Sequence, residues 1–236
     1  MASPVDSARQ TTNITTAGTS HAINVGSPVS GTLLVVFVRF AAAPGTVTFT
    51  GYTQLVADTS DASDDDTRAY YRQADGTEGA TDTLSTTSSV KLAAIAYEVT
   101  GAANPASQAP EVSAVQTGTT VANQAGTNVV IDPTGGTKDY LFIAFAGLDQ
   151  EGVTFSGPSG YSNNANANSG TTGAVAANTC IGSASRQATI SEEIPGAFTH
   201  GAAANGWASF CVAVHPAGPA TSLLLPNRSL VLTRRY

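Results

Sequence analysis

LLVVFVRF, residues Leu33 to Phe40, is the stretch that decides the fold. All but one of its residues are apolar, and several are β-branched. A run of this kind without polar alternation is a strand with both faces buried, or one that lies mid-sheet. Arg39, next to its end, is expected at the sheet margin. The same kind of run returns as YLFIAFA, Tyr140 to Ala146. Each follows a small polar turn, Ser30-Gly31-Thr32 in the first case and Gly135-Gly136-Thr137-Lys138-Asp139 in the second.

Outward from the first run, His21 to Val25 (HAINV) starts a short alternating strand that Gly26-Ser27-Pro28 stops. Ala43-Pro44-Gly45 is a turn. Thr46 to Val56 (TVTFTGYTQLV) alternates, with Val47 and Phe49 on one face and Leu55 resuming that face after a bend at Gly51. Thr67 to Gln73 (TRAYYRQ), Asp82 to Thr86 and Val90 to Val99 (VKLAAIAYEV) follow as strands. The second half keeps this order. Val112 to Val121 is rich in Thr and Val, and Asn128 to Ile131 (NVVI) parallels HAINV. Val153 to Ser156 (VTFS) echoes Val47 to Thr50 (VTFT), and Gly157 to Gly173 reads as a loop. Ala174 to Ile181 and Arg186 to Ile190 are strands, and Trp207 to Val214 (WASFCVAV) closes the half. Four elements in one order, with Val-Thr-Phe in the same slot, point to an internal duplication whose period far exceeds that of solenoid repeats.

The expected fold is all-β: an antiparallel double-sheet sandwich, jelly-roll-like, built from two tandem half-repeats with extended terminal arms. Residues 1–20 form the N-terminal arm, 21–216 the sandwich (half-repeats 21–105 and 112–216), and 217–236 the C-terminal arm. Only Gln108 to Glu111 could serve as a linker, and it is short, so one compact body is favoured over two in tandem. No window repeats apolar residues with helical spacing over three turns. Thr-rich segments separated by Gly and Asn suit a pleated surface.

Charged residues make up 11% of the chain, against about 25% in ordinary globular proteins. The net charge of −7 argues against general nucleic-acid binding, which needs a basic face. Three of the ten basic residues are Arg228, Arg234 and Arg235, so an acidic body precedes a small basic tail. Cys180 and Cys211 form no CxxC pair and have no His at metal spacing, and they read as reduced, buried thiols. The start, MASPVDSARQ, lacks the basic and apolar regions of a signal peptide. No apolar run approaches the roughly 20 residues of a membrane span. No membrane partner and no cofactor are expected, and assembly would take place in a cytoplasm.

The succession GTLLVVFVRF, VTFTGYTQLVAD, TRAYYRQADGTE and an apolar strand ending in VTGA resembles a β-module of structural proteins in tailed bacteriophages. In that module a strand beginning Gly-Asp-Leu-Leu is followed by Pro-Pro-Gly-Trp-Thr and a tyrosine-rich strand ending Ala-Asp-Gly-Ser/Thr-Glu. A second half of the same plan closes before His/Lys-Pro, here Val212-Ala213-Val214-His215-Pro216. The resemblance covers roughly residues 20 to 216 and departs at Gly51-Tyr52-Thr53, where Tyr replaces Trp and the prolines are missing. It implies a non-enzymatic virion component, such as a head decoration, spike or tail-associated part, whose partners are other virion proteins. With the arms, it suggests a homo-oligomer, a trimer being favoured. The alternative is a receptor- or carbohydrate-binding sandwich of a fibre or spike.

Candidate sites are few. Asp58, Asp61, Asp64, Asp65 and Asp66 offer oxygens for Ca²⁺ but lack EF-hand spacing, so a solvated loop is the plainer reading. Gly157-Pro158-Ser159-Gly160 only looks like a nucleophile elbow and suits a turn. His21, His200 and His215 stand apart in sequence. Glu192 and Glu193 are neighbours on a strand and so face opposite ways. Trp207, Tyr52, Tyr70, Tyr71 and Tyr161, with Asn163 to Asn168, could contribute to a sugar platform, although packing is their simpler role. The tail offers partner-binding residues: Leu223, Leu224, Leu225, Arg228, Leu230, Leu232, Arg234, Arg235 and Tyr236. Its apolar groups need a surface, either on a neighbour's sheet edge or on the chain's own body.

Overall fold

The computed structural model describes residues 2–60, 65–118, 121–127, 130–150, 152–170, 178–204 and 206–218. Among these, strands and turns account for all regular structure. The first half contributes β1 (Val5–Asn24), β2 (Leu33–Phe40), β3 (Val47–Phe49), β4 (Thr53–Ser60), β5 (Asp66–Gln73) and β6 (Thr81–Thr100). The second contributes β7 (Glu111–Val112), β8 (Gln116–Gly118), β9 (Val121–Thr127), β10 (Lys138–Leu148) and β11 (Phe155–Ser156). It ends with β12 (Ser162–Asn168), β13 (Cys180–Ile190), β14 (Gly196–Ala204) and β15 (Trp207–Val214).

Two large antiparallel sheets form, with strand orders β1-β6-β2-β5-β4 and β7-β15-β10-β13-β12. The orders match position by position, and so does the register. Leu33 lies between Val99 and Gln73, and Leu141 between Val214 and Gln187. Arg72 sits opposite Leu34 as Arg186 sits opposite Phe142.

The sheets pack face to face. Odd-numbered residues of the central strands, Leu33, Val35 and Phe37 with Leu141, Ile143 and Phe145, point into one shared core with Tyr97, Phe210 and Val212. Phe37 stacks on Phe145 across the interface at 5.4 Å between ring centroids, and Phe210 completes the group at 4.8 Å from Phe145. Tyr97 of β6 and Ser183 of β13 share a buried hydrogen bond of 2.7 Å between the sheets.

The even-numbered residues are covered by additional layers. The first half of β6 and the end of β1 fold over the first sheet, with β3 paired to β6. There Ile23, Phe49 and Leu84 meet Leu34, Val36 and Val38. A wide register shift between Gly18↔Val90 and Ser20↔Ser85 lets β6 change layers. In the second half the same covering layer is a separate sheet, β11-β14-β9, whose Phe155 and Phe198 meet Ala144 and Ala146. Phe155 lies so close to β13 that a Cβ on Gly182 would come within 2.5 Å of its ring.

Several expectations are corrected. Arg39 does not emerge at the margin: it is fully buried between the sheets. Residues 5–20, expected as a free arm, form most of β1 at the edge of the first sheet. They also reach the other half, where Asn13 Oδ1 accepts from Asn168 N (2.8 Å) and Asp6 accepts from Ser185 Oγ (3.0 Å). Leu55 does not share a face with Phe49, because β4 leaves the covering layer and joins β5, so Leu55 packs in the shared core. Within the expected 157–173 loop, residues 162–168 are the edge strand β12. Asp82–Thr86 and Val90–Val99 are one continuous strand. Of the expected 128–131 strand, residues 128 and 129 lie outside the described residues, and Ile131 pairs with Glu193 through an isolated bridge.

Phe37→Ala opens a cavity where both halves meet and is expected to cost about 3–5 kcal/mol, read as a lower urea midpoint at unchanged slope. A loss under about 1 kcal/mol would mean that the shared core does not hold the halves together.

Candidate functional site

Each half builds the same corner. After the Val-Thr-Phe strand the chain turns through a glycine with positive φ, +83° at Gly51 and +80° at Gly160, and a tyrosine follows. Tyr161 N donates to Pro158 O at 3.0 Å, so Pro158 to Tyr161 is a β-turn with glycine where φ must be positive. Tyr52 stacks on Phe49 at 3.8 Å and donates its hydroxyl to Asp82 (2.8 Å), while Tyr161 donates to Glu193 (3.2 Å). Burial pushes both phenols well above their ordinary pKa, so they stay protonated donors. An arginine, on β5 in the first half and on β13 in the second, completes each corner. Arg72 pairs with Glu78 at 2.8 Å and lies 5.7 Å above the Tyr52 ring. Arg186 contacts both oxygens of Glu193 at 2.8 and 2.9 Å. The recurrence of Gly51-Tyr52-Thr53 as Gly160-Tyr161-Ser162, one residue after the first Val-Thr-Phe and four after the second, carries this signal in the sequence.

The first corner opens into a cleft of 460 Å³. It forms because β4 begins opposite Tyr71, leaving Arg72 and Gln73 with a strand neighbour on the β2 side alone. Gly51 and Thr53 flank it on one side, and Asn104 to Ala106, from the segment joining the halves, flank it on the other. Glu78, its side chain buried, accepts from Asp75 N and Gly76 N at 3.0 and 2.8 Å and fixes the rim.

A second polar group lies inside the interface. Arg39 donates to Thr67 Oγ1 (2.8 Å) and pairs with Asp65 at 3.2 Å, both side chains being out of water. Its stem passes over Gly147 of the opposite sheet, where a Cβ would come within 2.5 Å of Arg39 Cδ. Asp66 pairs with Arg68 at 2.7 Å. Thus Asp65 and Asp66 of the proposed Ca²⁺ loop already face arginines. Asp61 and Asp64 lie outside the described residues, as does the side chain of Asp58. Among the described residues no cluster of His, Cys, Asp and Glu has the makings of a metal site.

The remaining candidates take structural places. Burial pushes Cys180 up to about 12, against the lowering charge of Arg39, and Cys211 is also raised by burial, so neither is a thiolate at neutral pH. His21, His200 and His215 are buried at separate positions. Glu193 is buried and Glu192 exposed. Tyr70 is buried and Tyr71 half-buried at the cleft. Trp207 lies against Gly118. The tail residues Leu223, Leu224, Leu225, Arg228, Leu230, Leu232, Arg234, Arg235 and Tyr236 lie outside the described residues. No protein-family model matches the chain, and no curated protein or solved structure matches it.

Removing one member of a buried ion pair strands the other's charge. Arg39→Met is therefore expected to cost about 3–5 kcal/mol in chemical denaturation. Adding Asp65→Leu should recover most of that loss, and failure of the double variant to recover would show that the charges are not what Arg39 supplies.

His215 Nε2 donates to Glu111 Oε1 at 2.7 Å. Burial lowers the His215 pKa from 6.5, the Glu111 contact opposing it. Burial would raise Glu111, but bonds from Thr134 and His215 outweigh it and hold it below 4.5. Both groups thus bind protons more weakly in the fold, so both contributions are present above the unfolded pKa and lost on acidification. Melting temperature should be level above about pH 6.5 and fall below it. His215→Gln should flatten the first part of that fall; a melting temperature that rises between pH 7 and pH 5 contradicts the assignment.

Proposed function

We propose that the chain is a non-enzymatic structural protein of a tailed-bacteriophage particle, a capsid decoration or tail-associated part that holds neighbouring subunits through its end segments. The virion assignment rests on the resemblance carried by residues 20 to 216. The same reading takes the two halves, with their common strand order and repeated corner, as copies of one module.

One observation carries the assembly part: Ser3 and Ala217, near the two limits of the described residues, converge on Gly101. Its backbone approaches Ser3, where a Cβ would come within 2.2 Å of the Ser3 carbonyl oxygen, and its own carbonyl accepts from Ala217 N at 2.9 Å. Ala102 bridges Pro216 beside it. Ala217 thus lies beside the start of β1, and the sequence after Gly218 holds Leu223-Leu224-Leu225 and Leu230-Val231-Leu232. Among the described residues β1 has a strand partner on one side alone, β6. An unpaired edge of this length invites strand addition, and an apolar segment from a second copy supplies the strand. Reciprocal exchange closes into a symmetric oligomer, which we take to be a trimer.

Light scattering on the full chain should give a trimer, and a chain ending at Gly218 should fall to monomer. A full-length chain that is a stable monomer, unchanged by the truncation, overturns the proposal.

A further inference from the structure

The cleft at the first corner has the chemistry of a ligand site, and its volume falls inside the range of about 300–1,000 Å³ usual for small-molecule clefts. Two rings without charge, the half-buried Tyr71 and Pro105, give it an apolar wall. The polar wall offers both hydrogen-bonding senses. Asp75 is exposed, and hydrogen bonds from the Thr77 hydroxyl and backbone keep its carboxyl below the usual range, so it presents a fixed acceptor. Asn104 spends its Oδ1 on Ala106 N (2.9 Å), which leaves its amide N–H groups for a ligand. Gln73 makes only a long contact to Gly31 O, at 3.4 Å.

Charge narrows the ligand class. Arg72 is the cation of the corner, and it faces Asp75, Glu78 and Asp82 at 3.3, 2.8 and 3.7 Å. Three carboxylates outweigh one guanidinium, and the whole chain carries −7. Phosphate, sulfate and carboxylate ligands are repelled. A molecule that is uncharged, has one apolar face and carries several hydroxyls fits each of these features. We propose that the cleft binds a neutral saccharide, its ring laid against Tyr71 and Pro105 and its hydroxyls shared among Gln73, Asp75 and Asn104. The site would act independently of subunit assembly, since its residues lie on β5 and two loops and not on the free edge of β1.

The test is saturation-transfer NMR on the full chain with galactose, glucose, N-acetylglucosamine, lactose and maltose, and with sialic acid as the charged counterpart. At least one neutral sugar should bind at roughly millimolar or better, and sialic acid should not. Tyr71→Ala and Asp75→Asn should each weaken that binding about tenfold or more. Asp75 is exposed, so its variant keeps the fold and remains informative if Tyr71→Ala does not. Overturning results are no neutral sugar bound at roughly ten millimolar, equal binding of sialic acid, or binding that survives Asp75→Asn. Sugar binding that appears only in a chain ending at Gly218 also overturns it, because the cleft would then belong to residues 219–236.

Discussion

Two strands that are apolar on both faces govern this structure. β2 and β10 carry no polar face to give to water, so a sandwich of two layers alone would leave one side of each strand exposed. Facing the two sheets together hides the odd-numbered residues, and a covering layer on each outer side hides the even-numbered ones. Each Val or Phe so enclosed contributes about 1.5–3 kcal/mol relative to exposure. The other elements are arranged to supply these layers. β6 is long because it serves the central sheet with one end and the cover with the other. The second half divides the same work between β14 and β15.

The halves are also tied by polar contacts that water cannot replace. Arg39 enters the interface where Gly147 leaves room, while its polar partners Asp65 and Thr67 belong to its own half. Tyr97 and Ser183 bond across the sheets, and β1 reaches over to Asn168 and Ser185. An apolar interface tolerates sliding, whereas the Tyr97–Ser183 bond and the fit of the Arg39 stem over Gly147 are each met in one register. These contacts select how the halves dock, and the shared apolar core, with Phe37, Phe145 and Phe210 among its members, supplies attraction.

The central strands and the all-β class were legible because they depend on local hydrophobic pattern. The N-terminal segment was not. β1 is an edge strand whose side chains are mostly exposed or half-buried, so it needs no apolar alternation and resembles an arm. Arg39 misled for a different reason: an arginine is ordinarily exposed, and only the opposing Gly147 with Asp65 makes its burial possible. Leu55 misled because the turn at Gly51 changes layers, and a period of two does not continue across such a turn. The corners were legible in principle, since Gly-Tyr-Thr/Ser recurs after Val-Thr-Phe, but each tyrosine alone looks like any loop aromatic.

The repeated corner also explains where individuality can arise. In the second half the backbone of Ile131 lies against Glu193, exchanging hydrogen bonds of 2.9 Å in both directions, and this closes that corner with chain. In the first half the corresponding carboxylate, Glu78, bonds its own loop instead, at Asp75 and Gly76. The neighbouring space is bounded by Asn104 to Ala106, which belong to the connection between the halves. That connection joins the halves at one place, so the cleft built from it has no counterpart of the same make among the described residues. The two sheets share one strand order, and among the parts outside that common order are the connection and the end segments. In this chain the open cleft lies at the first and the proposed assembly contacts lie at the second.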